Sequence, residues 1–179
     1  MVENEYLVRR AVAGEAKWVV HLSARVQSAL TASGSLQKIG PLPLPMVETS
    51  IRGGHLYCLD LMGRQPTGSV QVDPLDGNFP NTRTIDYISW GAKILPGPYL
   101  YLHALMIEPT KQGNGLGLVF LEGVLRLMDG QKGTILLDCW AGNAKLRKFY
   151  EGAGFTHHGN FLEEDYEISV YVYALSKRP

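Results

Sequence analysis

Apolar residues follow two spacings along the chain, one typical of helices and one typical of strands. In residues 15–30 and 115–128 they recur every three or four positions, which predicts two amphipathic helices. Residues 99–107 and 134–140 are nearly continuous apolar runs, as expected of strands buried on both faces. Weaker patterns predict strands at 6–11, 55–62, 68–72, 155–161 and 167–175, and a short helix at 143–151. The order predicts an α/β (α+β) protein, a mixed sheet with helices on both faces.

Two segments break this pattern. Residues 40–46 contain three prolines, so we expect no regular interior element there. Residues 73–98 form a long connection that is rich in glycine and proline. Long connections in compact domains are often functional, although a tolerated surface insertion is an equal alternative.

Length and charge narrow the class of protein. A chain of 179 residues fits one domain, residues 1–179. Lys plus Arg and Asp plus Glu both number 17, so no net charge attracts nucleic acid or an anionic membrane surface. No apolar stretch approaches the roughly 18 residues of a membrane span. With no export signal and only Cys58 and Cys139, we expect reduced thiols and a cytoplasmic location.

The most specific segment is the glycine-rich run Gln112–Gly117, which follows a predicted strand and opens a predicted helix. Glycines allow positive φ angles and let a ligand approach the backbone closely. The first turn of a helix also carries unpaired N–H donors and a positive dipole end, which suit a phosphate or a pyrophosphate. Lys111 can add a mobile positive charge beside this run.

Other interpretations of this run are possible from the residues alone. A P-loop is excluded because no Gly-Lys-Ser/Thr follows the glycines. A Rossmann-type dinucleotide site finds Gly113, Gly115 and a downstream Asp138, but Leu118 stands where its third glycine belongs. Only 41 residues follow Asp138, which is short for the remaining Rossmann units. A structural turn without a ligand is a further alternative.

Two motifs resemble those of one enzyme family. Residues 107–117 (IEPTKQGNGLG) resemble the acetyl-CoA motif of the GCN5-related N-acetyltransferases (GNAT), and residues 143–155 (NAKLRKFYEGAGF) resemble that family's second signature. The resemblance is close over residues 99–175. It implies the GNAT fold, a mixed and mostly antiparallel sheet whose central strands splay apart, with helices on both faces.

The resemblance also implies an acetyl-CoA site. Backbone N–H groups of the glycine-rich run would hold the pyrophosphate, and those at the end of the preceding strand would orient the thioester carbonyl. Asn143 and Arg147 fall where the family often contacts the pantetheine arm or the phosphates, although a helix cap and a solvated side chain are equal alternatives. The matching residues of the run and the strand end are Gln112, Gly113, Asn114, Gly115, Leu116 and Gly117, and Leu105, Met106 and Ile107.

Two side chains are candidates for proton transfer. Tyr150 occupies the family's tyrosine position near the leaving sulfur, and its alternative role is packing beside Phe149 and Phe155. His103 could take a proton from the acceptor amine, since histidine titrates near neutral pH. The arylalkylamine N-acetyltransferases carry a histidine at this place and a second one where this chain has Tyr101, so that similarity is partial. A satisfied core histidine is the alternative.

The sequence therefore predicts an N-acetyltransferase that moves an acetyl group from acetyl-CoA directly to an amine, most simply a small molecule. A non-catalytic acyl-CoA sensor and an enzyme that uses a longer acyl group are the alternatives. No metal site is expected, because no histidine or cysteine cluster has ligand spacing. Members of the family often form homodimers, so a homodimer is also an expectation. The acceptor itself cannot be named from the sequence.

Overall fold

A computed structural model describes residues 6–61, 65–76 and 86–176. The chain divides into two compact units. Unit 1 comprises Met1–Val72 and Ala104–Leu127, and unit 2 comprises Asp73–His103 and Met128–Pro179.

Seven strands form a sheet in the order β1-β2-β3-β4-β5-β7-β6. It is mostly antiparallel, with β4 and β5 parallel, and helices flank it. This architecture confirms the predicted fold class. The elements are β1 Tyr6–Arg10, α1 Ala16–Ala32, α2 Leu44–Arg52, β2 Leu56–Leu61, β3 Pro66–Pro74, β4 Tyr99–Ile107, α3 Leu116–Leu127, β5 Gly133–Trp140, α4 Ala144–Gly152, β6 Thr156–Glu163 and β7 Tyr166–Leu175.

In unit 1, helices cover both faces of the antiparallel β1-β2-β3 sheet. One face packs against α1 and α2 in an apolar cluster that includes Leu22, Val47 and Cys58. The opposite face packs against α3, where a Cβ added at Gly123 would collide with the Val8 side chain. Glycine at position 123 therefore allows α3 to lie close to β1.

In unit 2, β5, β7 and β6 form an antiparallel sheet with different cover on its two faces. Trp90 and Tyr101 pack with Leu136 and Val170 on one face. On the other face, Tyr150 of α4 packs against Tyr171, the neighbour of Val170 in β7. β4 joins this sheet by parallel pairing that stops at Tyr101 and Leu136, although β5 continues to Trp140.

The start of α2 corrects the expectation that residues 40–46 hold no regular element. The helix begins at Leu44, directly after Pro43, whose φ of −65° and ψ of 132° are those of extended backbone. Pro45 is the second helical residue. Proline is tolerated there because the N–H groups of a first helical turn have no acceptor within the helix.

The proline- and glycine-rich connection is partly structured. β3 extends to Pro74, and a short turn of 3₁₀ helix covers Ala92–Ile94. Residues 77–85 of this connection lie outside the described residues. Across 6–61, 65–76 and 86–176, no helix combines the length and apolarity that a membrane crossing requires.

Candidate active site

The glycine-rich run lies in unit 1, between β4 and α3. Gly113 and Gly115 have φ angles of 84° and 74°, and a Cβ added at either would meet no atom within 4 Å. Both residues are exposed. The backbone conformation, rather than crowding, therefore requires glycine at these positions, and the surface above them is open to a ligand.

Of the backbone amides of this run, only that of Gln112 has an acceptor within the described chain, the Pro109 carbonyl at 3.4 Å. The next N–H along the chain that does have a backbone acceptor is that of Leu118, which donates to the Gly115 carbonyl at 3.1 Å. The unpaired N–H groups therefore belong to Gly113, Asn114, Gly115, Leu116 and Gly117. They stand at the positive end of the α3 dipole, which favours an anion.

Side chains fix the shape of the run. The Gln112 amide Nε2 donates to the carbonyl of Ile107 at 2.9 Å, which ties the run to the last residue of β4. The Asn114 amide Nδ2 donates to the carbonyl of Lys111 at 3.3 Å. These side chains hold the backbone in place and leave its N–H groups available.

The second half of β4 contains a strained residue. Ala104 has a φ of 50°, and among the described residues only Glu164 is another non-glycine residue with positive φ. Such a conformation costs free energy and is often found at functional sites. It interrupts the regular alternation of the strand directly before Leu105, Met106 and Ile107, the predicted thioester-orienting residues. Sequence reasoning gave no sign of it.

Glu108, the residue after β4, is held in an ion pair. Its carboxylate accepts two hydrogen bonds from the Arg25 guanidinium of α1, at 2.8 and 3.0 Å. This pairing occupies both carboxylate oxygens, so Glu108 is a weaker candidate base than His103.

His103 lies in unit 2 with a carboxylate partner that sequence reasoning missed. Its Nε2 lies 2.6 Å from Oδ2 of Asp73, whose side chain is 2% exposed. An ionised carboxylate can only accept, so Nε2 is the donor in this contact, and whenever the ring is neutral Nδ1 carries the lone pair. The imidazole also stacks on Tyr101, with ring centroids 5.0 Å apart. The ring is 16% exposed, so it is not sealed in the core.

A second carboxylate completes this group of side chains. The Tyr101 hydroxyl donates to Oδ1 of Asp138 at 2.5 Å. His103 is therefore flanked by Asp73 of β3 and by Tyr101, whose hydroxyl is hydrogen-bonded to Asp138 of β5. Asp73 and Asp138 are distant in sequence from His103, and only the pairing of strands could have related them to it.

Tyr150 lies on the other face of the unit 2 sheet from His103. Its ring contacts Phe149, Phe155 and Tyr171, with centroids 5.2, 6.0 and 6.1 Å away. Burial raises the pKa of the Tyr150 hydroxyl well above its usual value, and the negative charge of Asp138 adds to this. The predicted aromatic packing is therefore present, and the phenol stays protonated at neutral pH.

Asn143 and Arg147 have different surroundings in α4. The Asn143 side chain accepts a hydrogen bond from the Leu146 N–H at 3.0 Å, so it caps the helix. Arg147 donates through Nη1 to the Ala141 carbonyl at 3.4 Å, and its buried Nε has no partner in the described chain. Arg147 therefore retains a donor that a ligand could use.

Cys139 is a buried residue of β5. Burial raises the pKa of the Cys139 thiol to about 12, with the Asp138 charge as a second cause. A thiol in that state is a poor nucleophile. Within the three described ranges, no group of three or more His, Cys, Asp or Glu side chains is arranged to hold a metal ion.

Comparisons with known proteins identify the family and the fold. The family model of the acetyltransferase (GNAT) family matches residues 43–155. A GNAT-family acetyltransferase from Streptococcus agalactiae superimposes with a TM-score of 0.70 at 18% identity, covering 97% of this chain and 98% of its own.

Two further structures share the fold. A putative acetyltransferase from Salmonella typhimurium, solved with its cofactor acetyl-CoA, has a TM-score of 0.63 at 12% identity, with coverage of 97% and 96%. A spermidine N-acetyltransferase chimera from Vibrio cholerae and hSSAT has a TM-score of 0.64 at 14% identity, with 96% of each chain covered. No curated protein matches the sequence significantly. Because the family model covers more than half of its length, the chain belongs to the acetyltransferase (GNAT) family.

Proposed function

We propose that this protein is an acetyl-CoA-dependent N-acetyltransferase that transfers the acetyl group directly to the amine of a small molecule. The observation that carries the proposal is the set of unpaired backbone amides over 113–117 at the start of α3. The family to which the chain belongs gives the same reaction class.

The residues of the glycine-rich run fit a diphosphate. Exposed glycines at 113 and 115 leave the backbone uncovered, and the helix end supplies positive potential. On this proposal, Gln112 and the backbone of 113–117 hold the pyrophosphate of acetyl-CoA. The N–H groups of Leu105–Ile107 donate to the thioester carbonyl oxygen as negative charge develops on it, an effect worth roughly 10²–10³ in rate. Asn143 and Arg147 contribute contacts to the rest of the molecule.

Acetyl-CoA supplies an activated acyl group whose sulfur is the leaving atom. The acceptor amine must first lose a proton, because an alkylamine with a pKa near ~10.4 is protonated at neutral pH. His103 is proposed to take a proton from the amine through Nδ1, while Asp73 holds Nε2–H and fixes the orientation of the ring. The lone pair of the amine nitrogen then forms the new C–N bond.

Tyr150 is proposed to donate its hydroxyl proton as the C–S bond breaks. The nitrogen loses two protons in total. Tyr150 gives one proton to the CoA sulfur and regains one from solvent, so the net reaction releases one proton to solvent. Because burial keeps the phenol protonated, Tyr150 is available as a donor throughout the neutral range.

A thiol-release assay tests the proposal. Purified protein and acetyl-CoA are incubated with a panel of primary amines, and free CoA thiol is measured together with the acetylated amine by mass spectrometry. We expect release that depends on both protein and amine. Binding of acetyl-CoA with no thiol release for any amine would instead favour a sensor. Faster release from longer acyl-CoA thioesters would show that the preferred donor carries a longer acyl group. Homodimer formation and a cytoplasmic location stay predictions from the sequence.

A further inference from the structure

Three polar side chains occupy alternate positions on one face of β3 in unit 1. They are Thr67, Ser69 and Gln71, hereafter the β3 polar row, and their exposed fractions are 3%, 0% and 0%. In the described chain, no hydrogen-bond partner exists for the Thr67 Oγ1, the Ser69 Oγ or either polar atom of the Gln71 amide. Buried polar side chains almost always have a partner, so a run of three without one calls for an explanation.

The β2 side chains directly opposite the row are apolar. In the β2–β3 register, Ser69 is opposite Cys58 and Gln71 is opposite Leu56. Cys58 and Leu56 belong to the apolar cluster under α1 and α2. Apolar residues in place of the three would match these neighbours, while the next alternate position of β3 is the buried Asp73 and the Cys58 thiol lies 3.9 Å from Oε2 of Glu15. Packing alone therefore gives no reason for polar residues here.

The row also borders the strained part of β4. The Glu108 N–H donates to the Thr67 carbonyl at 2.8 Å, which pairs β3 with the end of β4. Met106 and Ala104 pack in the same apolar cluster as Cys58 and Leu56, so the row lies between these two pairs. Ala104 is the residue with a φ of 50°. Unpartnered side chains and backbone strain thus occur together, as they do at functional sites rather than in ordinary cores.

We propose that the β3 polar row binds the acceptor and selects one with an uncharged group that both donates and accepts hydrogen bonds, such as a primary carboxamide. This inference rests on the proposed acetyl transfer. The Gln71 amide presents a donor and an acceptor side by side, which a carboxamide complements with both of its atoms. A carboxylate would leave Oε1 unpaired and would add a negative charge on the strand face that carries buried Asp73, and an ammonium would leave Nε2 unpaired.

The row is covered in this structure, so the acceptor must displace part of that cover to reach it. Acceptor binding should therefore depend on the row far more than acetyl-CoA binding does. Substitution of the row with apolar residues should not destabilise the protein, because an unpartnered buried group contributes no hydrogen bond to the folded state. Loss of acceptor selectivity without loss of stability is the expected signature.

The functional test compares five amines with a common three-carbon spacing: 3-aminopropanamide, 3-amino-1-propanol, 3-aminopropanoate, 1,3-diaminopropane and n-butylamine. For the wild type we expect kcat/KM to be about tenfold or more higher for the carboxamide than for the carboxylate, the diamine and the alkylamine. The alcohol should fall between. Gln71→Met should abolish this preference and leave the KM for acetyl-CoA unchanged.

A matched pair of variants tests whether the row contributes to the stability of the folded protein. Ser69 and Ser23 are both fully buried in unit 1, but Ser23 donates to the Val20 carbonyl and accepts from the Leu42 N–H. We expect Ser23→Ala to lower Tm and Ser69→Ala to leave Tm unchanged or raise it. Should Gln71→Met fail to fold, Ser69→Ala and Thr67→Val carry the same selectivity measurement.

The outcomes separate the two proposals. Thiol release with no preference among the five amines, or a preference that survives in the variants, would overturn the acceptor site and leave acetyl transfer standing. A drop in Tm for Ser69→Ala as large as that for Ser23→Ala would also overturn it, because the row would then be hydrogen-bonded in the folded protein. No thiol release with any amine would remove the proposed function itself.

Discussion

The two units of this chain offer different kinds of chemical group. In unit 1 the candidates are backbone amides at 113–117 and the uncharged β3 polar row, none of which changes charge near neutral pH. In unit 2 they are ionisable side chains, namely His103 with its partner Asp73, and Tyr150. Groups of the first kind suit binding, and groups of the second kind suit proton transfer.

This difference has a measurable consequence. Substitutions at residues 113–117 or in the β3 polar row should change dissociation constants or KM values and leave the shape of the pH–rate profile as it is. Substitutions at His103, Asp73 or Tyr150 of unit 2 should change kcat, its pH dependence, or both. A binding-site variant of unit 1 that changes the pH dependence, or a variant of an ionisable site residue of unit 2 that changes only binding, would show that the assignment of roles is wrong.

The largest expected effect concerns Cys139, an ionisable residue of unit 2 that should stay outside the chemistry. Because burial raises its pKa to about 12, its thiolate fraction at pH 8 should be about 10³-fold below that of a free cysteine. Iodoacetamide should therefore label it very slowly in the native protein and rapidly in urea, as measured by peptide mass spectrometry. Rapid labelling of the folded protein would make an acyl-cysteine route worth testing.

Removal of the proposed base should have the next largest effect. His103→Ala is expected to lower kcat by about 10²-fold at neutral pH. The deficit should shrink as pH rises, because more of the acceptor amine is then already unprotonated. His157→Ala, which removes an exposed histidine of β6, serves as the control. A constant ratio of variant to wild type across the pH range would assign the proton to water or to another group.

Tyr150→Phe should lower kcat by roughly tenfold to 10²-fold with little change in acetyl-CoA affinity. Since burial raises the pKa of this phenol above 10, its ionisation should not limit the wild-type rate on the alkaline side up to about pH 10. Tyr173→Phe, on β7 beside Phe155, is the matched control. Wild-type turnover in Tyr150→Phe would leave this tyrosine with a packing role alone.

The smallest of the four effects tests unit 1. Gly115→Val places a β-branched residue where φ is 74°, a strain of about 1–2 kcal/mol. Because the free run should relax and must regain this conformation to bind, the strain corresponds to roughly tenfold weaker binding of acetyl-CoA. The loss should be the same at pH 6 and pH 9. Gly14→Ala, at an exposed glycine without positive φ, should bind like the wild type. A pH-dependent loss would contradict the division between units.

How well the sequence predicts each feature depends on how local its physical cause is. The glycine-rich run and the strands around it are specified by adjacent residues, so their positions follow from pattern and motif. The prediction that residues 40–46 hold no regular element was wrong, and α2 was missed, because proline in a first helical turn resembles a loop in sequence. Asp73 beside His103 depends on which strands pair, and that information is spread across the chain.

The β3 polar row shows a different limit. Alternating polar residues in a strand normally indicate a solvent-exposed face, and nothing in the sequence shows that α1 and α2 cover this one. The positive φ of Ala104 is likewise invisible, because alanine gives no local reason for it. Features that oppose local preference are therefore known only from the structure, and here they fall next to the proposed acceptor site.

Calorimetric titration of acetyl-CoA into the purified protein tests the central claim most directly. The account predicts saturable one-to-one binding that Gly115→Val weakens and Gly14→Ala does not. Absence of any heat of binding at two well-separated temperatures, with folded wild-type protein and acetyl-CoA up to about 1 mM, would contradict it, because it would mean a binding free energy weaker than about −4 kcal/mol.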